Sequence, residues 1–257
     1  MKIALFSDVH ANLPALKAVL ADIDSKNPDA IYCQGDLVGY APYPNEVINL
    51  IRERKIPTIA GNYDEGIGLF SDECGCAYKT QPDKDAGAIS IAFTNEIVKD
   101  EERLFLKNLP RHFALDFEFN HEKFKLLMVH GSPRKINEYL FEDREEKSLI
   151  RIMEESHADI MTFGHTHKPY HRKISYEKDG QTLYKHAINI GSIGKPKDGD
   201  SRACYVMLTI DPETSMLKSD SIQVEFIRVP YDVESVATAI EATKLPNEYA
   251  DMLRKAY

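Results

Sequence analysis

The chain begins MKIALFSDVHAN, an apolar run from Ile3 to Phe6 that stops abruptly on Asp8 and His10. A buried strand that ends on a carboxylate and an imidazole is costly unless both find partners. Four later stops repeat the pattern: Asp36 after Gly35, Asn62 after Gly61, His130 before Gly131, and His165 with His167 in GHTH. In open α/β sheets the carboxyl ends of the strands form one rim where ligands bind, so all of these side chains can share one crevice. The neighbouring glycines let the backbone turn sharply beside it.

The surrounding pattern alternates strand and helix. Residues 2–7 and 29–34 read as strands, and 57–60 as a third short one. Residues 13–26 read as a helix capped by Asn12, and 44–54 as a helix opening at Pro44. Strands separated by helices imply parallel pairing. Residues 65–84, with Gly, Pro and charge, read as an irregular insertion, and 85–109 as two helical segments. FALDFEF and FKLLMVH flank NHEK as a hairpin. A helix near 145–156, a strand over 159–163, further strands from 169 to 229, and helices near 232–243 and 246–256 complete the chain. No internal repeat is present. A parallel first half and a more antiparallel second half predict an α/β fold with two packed mixed β-sheets sandwiched by helices, in one domain over 1–257.

The 257 residues, 43% hydrophobic and 28% charged, suffice for one large core. No apolar stretch is long enough for a membrane helix, and nothing at the N-terminus reads as a signal peptide, so no membrane association is expected. Of the four cysteines, Cys33 and Cys204 lie in apolar runs and read as small hydrophobes. Cys74-Gly75-Cys76 is too closely spaced for common zinc sites and reads as part of the insertion, with lid closure, oxidation or stray metal binding as alternatives. With no disulfide framework implied, a cytoplasmic location is expected. The net charge of −9 repels long nucleic acids. A small phosphate ester is still allowed where metal ions offset that field. The C-terminal helices offer a surface for self-association, with no stoichiometry fixed.

Two carboxylates, one amide oxygen and four imidazoles make a donor set suited to two divalent ions such as Mn, Fe, Zn or Ni, with no thiolate needed. One ion takes about four to six ligands, so seven side chains exceed one ion's need. A shared Asp can hold two ions about 3.5–4 Å apart, the spacing used in two-metal phosphoester hydrolysis. Singly, each element is ordinary: a strand-ending Asp often caps the next helix, and His112, His121 and His157 read as common surface or core residues. The ordered combination carries the metal reading.

That combination resembles the calcineurin-like metallophosphoesterase superfamily. Its pattern of D-x-H, G-D, G-N-H-[DE], H and G-H-x-H appears here as DVH, GD, GNYD, VHG and GHTH. The later NIGSIGKPKDGDSRA is similar to a loop of small bacterial and archaeal members with phosphodiesterase activity. The resemblance implies Asp8, His10, Asp36 and His167 around a first ion and Asp36, Asn62, His130 and His165 around a second, with Asp36 bridging. It implies a metal-dependent hydrolase of phosphate esters, more specifically a phosphodiesterase, with Mn as the first expectation. A hydroxide shared by the two ions would attack phosphorus in line with the leaving oxygen.

One position departs from the pattern. The family's usual His after G-N, its proton donor, is Tyr63 here. A phenol with a reference pKa near 10 can donate a hydrogen bond but is a weaker acid than an imidazolium near 6.5. Tyr63 therefore either serves esters with good leaving groups or packs beside the ions and excludes water. Asp64 keeps the family identity and is expected to orient Tyr63 or a ligand imidazole. Asn12, Tyr63, Lys195 and Arg202 are the candidate donors to the phosphoryl oxygens. Asn12 is also a helix cap, Lys195 and Arg202 are also ordinary loop charges, and Arg202 is preferred to Lys195 because guanidinium matches phosphate geometry. His171 and His186 are unassigned. The competing class is a non-catalytic metal-binding scaffold of the same fold. Retention of all seven ligand positions favours the enzyme.

Overall fold

The computed structural model describes residues 1–257 apart from Lys79 and Asn120. Strands β1 (Lys2–Phe6), β2 (Ala30–Cys33), β8 (Ala203–Thr209) and β9 (Gln223–Val229) form one sheet in the order β2-β1-β8-β9. Strands β3 (His112–Phe119), β4 (Glu122–Val129), β5 (Ile160–Phe163), β6 (Tyr170–Lys178) and β7 (Gln181–Asn189) form the other, in the order β3-β4-β5-β7-β6. The helices are α1 (Leu13–Lys26), α2 (Pro44–Glu53), α3 (Asn62–Gly68), α4 (Gln81–Ile97), α5 (Asp100–Lys107), α6 (Glu146–Glu155), α7 (Val233–Glu241) and α8 (Glu248–Lys255).

The period of two along each strand builds the layers. Ile3 and Leu5 on β1 share a core with Leu126 and Met128 of β4 and Ile160 of β5. Their neighbours Ala4 and Phe6 pack instead with α1, α2, α7 and α8. On the second sheet, Leu127, Val129, Met161 and Phe163 pack on Leu149, Ile152 and Met153 of α6. Two sheets face to face with helices outside are therefore the observed architecture, and each large apolar side chain so buried contributes roughly 1.5–3 kcal/mol. Cys33 and Cys204 are buried and unpaired. Among the described residues no helix is long and apolar enough to cross a membrane.

Two expectations change. Residues 57–60 make only an isolated parallel bridge, Cys33 to Thr58. Pro57 has no N–H to extend the ladder, and the Ala60 N–H donates to Pro110 O instead, at 2.7 Å. The irregular insertion over 65–84 shrinks to 69–80. Its start belongs to α3, and α4 begins early because Thr80 and Asp83 form a reciprocal capping box with proline in the first turn. Both sheets are mixed, as expected. β8 pairs antiparallel with β1, while β4, β5 and β7 run parallel to one another. The β3–β4 hairpin forms as expected, although Asn120 of its turn lies outside the described residues.

Candidate metal centre

Parallel pairing brings the carboxyl ends of β1 and β2 together, and likewise those of β4, β5 and β7. Backbone bonds then weld the loops that follow. The Asp8, His10 and Ala11 N–H groups donate to Gly35 O, Asp36 O and Leu37 O at 2.8–2.9 Å. The Gly164 N–H donates to His130 O at 2.9 Å and the Gly194 N–H to Asp8 O at 2.8 Å, the latter also receiving the Ser192 hydroxyl. Five of the seven nominated side chains stand on left-handed backbone: Asp8 (φ 55°), His10 (47°), Asp36 (54°), His165 (63°) and His167 (60°). Such a conformation costs of order 1–3 kcal/mol per non-glycine residue and persists where the surroundings enforce it. Two glycines make room for the carboxylates. A Cβ on Gly61 would overlap Asp36 Oδ1, and one on Gly164 would overlap Asp8 Oδ2.

All seven nominated residues are buried and meet in one place. Their ligand atoms form two triads, Asp8–His10–His167 and Asp36–His130–His165, each within 4.8 Å. Asp36 Oδ2 stands between the triads, 3.7 Å from His10 Nε2 and 3.3 Å from His130 Nε2. Asn62 Oδ1 is 3.1 Å from His130 Nε2 and so joins the second group.

The imidazoles are fixed by their outer nitrogens. The Nδ1 atoms of His10, His130 and His167 face the carbonyls of Val38 (3.0 Å), Gln34 (2.8 Å) and Lys195 (2.6 Å). A carbonyl only accepts, so each Nδ1 carries a proton, and the neutral rings of His10 and His167 turn an Nε2 lone pair inward. His10 Nε2 and His167 Nε2 consequently face each other at 3.1 Å, a repulsive contact unless a cation lies between. Asp8 Oδ1 and His165 Nε2 are buried with no hydrogen-bond partner. Convergent lone pairs and orphaned donor atoms fit divalent ions at both triads.

Burial and neighbouring charge set the titration of the cluster. Burial pushes Asp8 up and pushes His10, His165 and His167 down, His165 to about 4 with help from the charge on His130. Burial opposes charge on His130 too, but Asp36 overrides it and raises that imidazole to about 10. Burial likewise opposes charge on Asp36, yet His130 and His10 hold its carboxyl below the usual range. The pocket thus demands positive charge beside Asp36.

The nominated donors are distributed differently from expectation. Asn12 accepts from the Ala15 N–H at 3.1 Å as the α1 cap, and its amide donates to Gly194 O and Tyr231 Oη at 3.0 and 3.2 Å. Both ends of that side chain are engaged away from the triads. Arg202 is exposed and forks onto Asp200, two residues away. Lys195, ranked below it, is the buried one, because its loop folds under His167. Asp64 orients neither Tyr63 nor an imidazole. Its carboxylate accepts from the Leu37 and Gly61 N–H groups at 2.8 and 2.9 Å and so clamps the two loops that carry Asp36 and Asn62. Tyr63 is buried against His10, with ring centroids 5.5 Å apart, and its N–H donates to Asp36 Oδ1 at 2.8 Å. Its hydroxyl lies 3.5 Å from that of Tyr78, and burial pushes the phenol well above its ordinary pKa.

Several neighbours of the centre carried no nomination. Cys74 O accepts from Asn62 Nδ2 at 2.7 Å, which turns the amide oxygen toward His130 and gives the short insertion a positioning role. Tyr139 packs on His165 with centroids 4.1 Å apart, and Tyr40 on His10 at 4.7 Å. Lys197 donates its N–H to His167 O at 3.3 Å. Its signal is the K-P-K spacing: proline holds the residue before it extended, and residues two apart on an extended chain face the same way.

Comparison with known proteins agrees with this geometry. The chain is 32% identical over 264 residues to the uncharacterized protein MJ0912 of Methanocaldococcus jannaschii, covering 98% of this chain and 96% of that one. Its structure is similar to that of a metallophosphoesterase from Sphaerobacter thermophilus, with 27% identity, TM-score 0.73 and full coverage of both chains. The hypothetical protein PH1004 of Pyrococcus horikoshii OT3 shares the fold, with 23% identity, TM-score 0.77 and coverage of 100% and 98%. Residues 1–213 match the model of the calcineurin-like phosphoesterase superfamily domain, and it is to this superfamily that the chain belongs.

Proposed function

We propose that the chain is a binuclear metal-dependent hydrolase of small phosphate esters, with a preference for diesters. The observation that carries this reading is the facing pair of Nε2 lone pairs of His10 and His167 beside the partnerless Asp8 Oδ1. Asp8, His10 and His167 would hold one ion, Asn62, His130 and His165 the other, and Asp36 both. When bound, the ions supply Lewis-acid charge and an activated water. The chain's own residues do the rest. The carbonyls of Val38, Gln34 and Lys195 fix the imidazole tautomers. Asp64 holds the loops of Asp36 and Asn62 in register. Tyr63, Tyr40 and Tyr139 wall the centre against bulk water, which strengthens every charge interaction inside it. Tyr63 is a poor acid in this setting, so turnover should favour esters whose leaving oxygen departs without a proton.

The test is hydrolysis of bis-p-nitrophenyl phosphate and p-nitrophenyl phosphate by the Mn-loaded chain. Diester turnover should exceed monoester turnover, and Tyr63→His should raise hydrolysis of an alkyl monoester such as glycerol phosphate, whose leaving oxygen needs a proton, by about a hundredfold, the low end of general acid catalysis, while leaving p-nitrophenyl phosphate turnover nearly unchanged. Inertness toward both esters at full metal loading would overturn the reading.

A further inference from the structure

Beside the first triad lies a cavity of about 220 Å³ whose wall includes Tyr40, Tyr78, Tyr249, Lys195 and Lys197. It abuts the centre directly, since Lys195 O receives His167 Nδ1 and Tyr40 packs on His10. Lys195 is 4% exposed, and its ammonium lies over the Tyr40 and Tyr249 rings at 4.6 and 5.7 Å. Among the described residues no carboxylate comes within 4.0 Å of either lysine ammonium. Asp83 and Glu248 also line the cavity but make no ion pair with them. Ring faces compensate a buried ammonium only in part. Asp83 and Glu248 offset the two lysines only at a distance, so neither ammonium has an anion in direct contact, and a phosphoryl group, with several acceptor oxygens and about −1.5 to −2 charge at neutral pH, can reach both heads at once. The acids on the same wall disfavour a longer polyanion, consistent with the chain's net charge of −9.

We propose that this cavity receives a second phosphoryl group of the substrate, held by Lys195 and Lys197, so that the preferred ester carries another phosphate beside the scissile one. The inference rests on the phosphoesterase reading of the adjacent triads and narrows its substrate class. The tyrosine faces suit a flat ring on the same molecule.

The test uses the full-length Mn-loaded chain and calorimetry, with adenosine 3′,5′-bisphosphate and adenosine 5′-monophosphate as probes. These share the ring and differ by one phosphoryl group. The bisphosphate should bind at least about tenfold more tightly. Lys195→Met and Lys197→Met should each reduce that ratio below about threefold, and Lys197→Arg should restore it. A ratio near one in the unaltered chain overturns the proposal, whatever the fate of the variants. A ratio that survives both methionine substitutions overturns it too. Because binding requires no turnover, a high, lysine-dependent ratio in a chain inert toward bis-p-nitrophenyl phosphate would support the subsite while overturning the hydrolase reading.

Discussion

The molecule holds two clusters of imidazoles removed from bulk water to different degrees, and they differ in what anchors them. At the centre, three Nδ1 atoms are tied to backbone carbonyls, and the inward Nε2 atoms converge with Asp8 and Asp36. On β6 and β7, His171 Nε2 meets His186 Nδ1 directly at 3.0 Å. There one imidazole donates to the other's lone pair and both rings are neutral, and the pair's one buried, partnerless ring nitrogen, His186 Nε2, has no carboxylate among its contacts in the described residues. Burial pushes His171 down to about 4 and His186 to about 3, the latter with help from His171. A site for cations therefore depends on carboxylates set among backbone-anchored tautomers, and imidazole density alone does not make one.

The largest effect should come from the carboxylate that stands between the triads. Asp36→Asn keeps the shape and removes the charge. Elemental analysis should find the metal content falling from about two ions per chain to below one, and kcat/KM for bis-p-nitrophenyl phosphate should fall by about 10³, or about 4 kcal/mol. His186→Leu should leave both at their original values. An Asp36→Asn chain that still holds two ions, or a His186→Leu chain that loses them, would break the comparison.

An intermediate effect belongs to the neutral pair. The unfolded imidazole titrates near 6.5, while the folded values are about 4 and about 3. Below pH 6.5 the unfolded chain takes up protons that the folded pair refuses. The pair's contribution is thus fully present above pH 6.5 and is lost progressively as pH falls toward 3. Between pH 7 and 4.5, urea unfolding of the metal-free chain should lose on the order of 2 kcal/mol more than that of His186→Leu. The difference between the two chains cancels the acid titration of the centre. Equal losses would mean that the pair is solvated and carries no such penalty.

The contrast also marks what the sequence makes legible. Each ligand residue follows a strand-like run, and in a mostly parallel arrangement strand ends share a rim, so Asp8, Asp36, His130 and the GHTH histidines could be grouped without coordinates. Boundaries were harder where local chemistry was subtle, as at Thr80 and Asp83, whose reciprocal bonds start α4 inside the expected insertion. Long-range packing left no local trace. Nothing near Tyr249 signals that α8 closes the cavity beside His10. Nothing near Cys74 signals that its carbonyl turns Asn62. Asp64 has one sequence neighbourhood but clamps two loops, and only the fold brings Leu37 to it.

The smallest effect separates charge type from charge placement. Arg202 has the better headgroup for phosphate, yet it lies exposed on the fork to Asp200, whose carboxyl it holds down at about 2. Exposed pairs of this kind contribute little, because water screens the attraction and both side chains lose freedom in forming it. Lys195 has the poorer headgroup but a buried ammonium beside the first triad. Arg202→Ala should therefore leave Tm, metal content and hydrolysis of bis-p-nitrophenyl phosphate unchanged within error, in thermal-shift and steady-state measurements. A loss of turnover in that variant at unchanged Tm would mean that the Asp200 fork opens during the reaction and that the arginine reaches the ester, which would restore the preference read from guanidinium geometry alone.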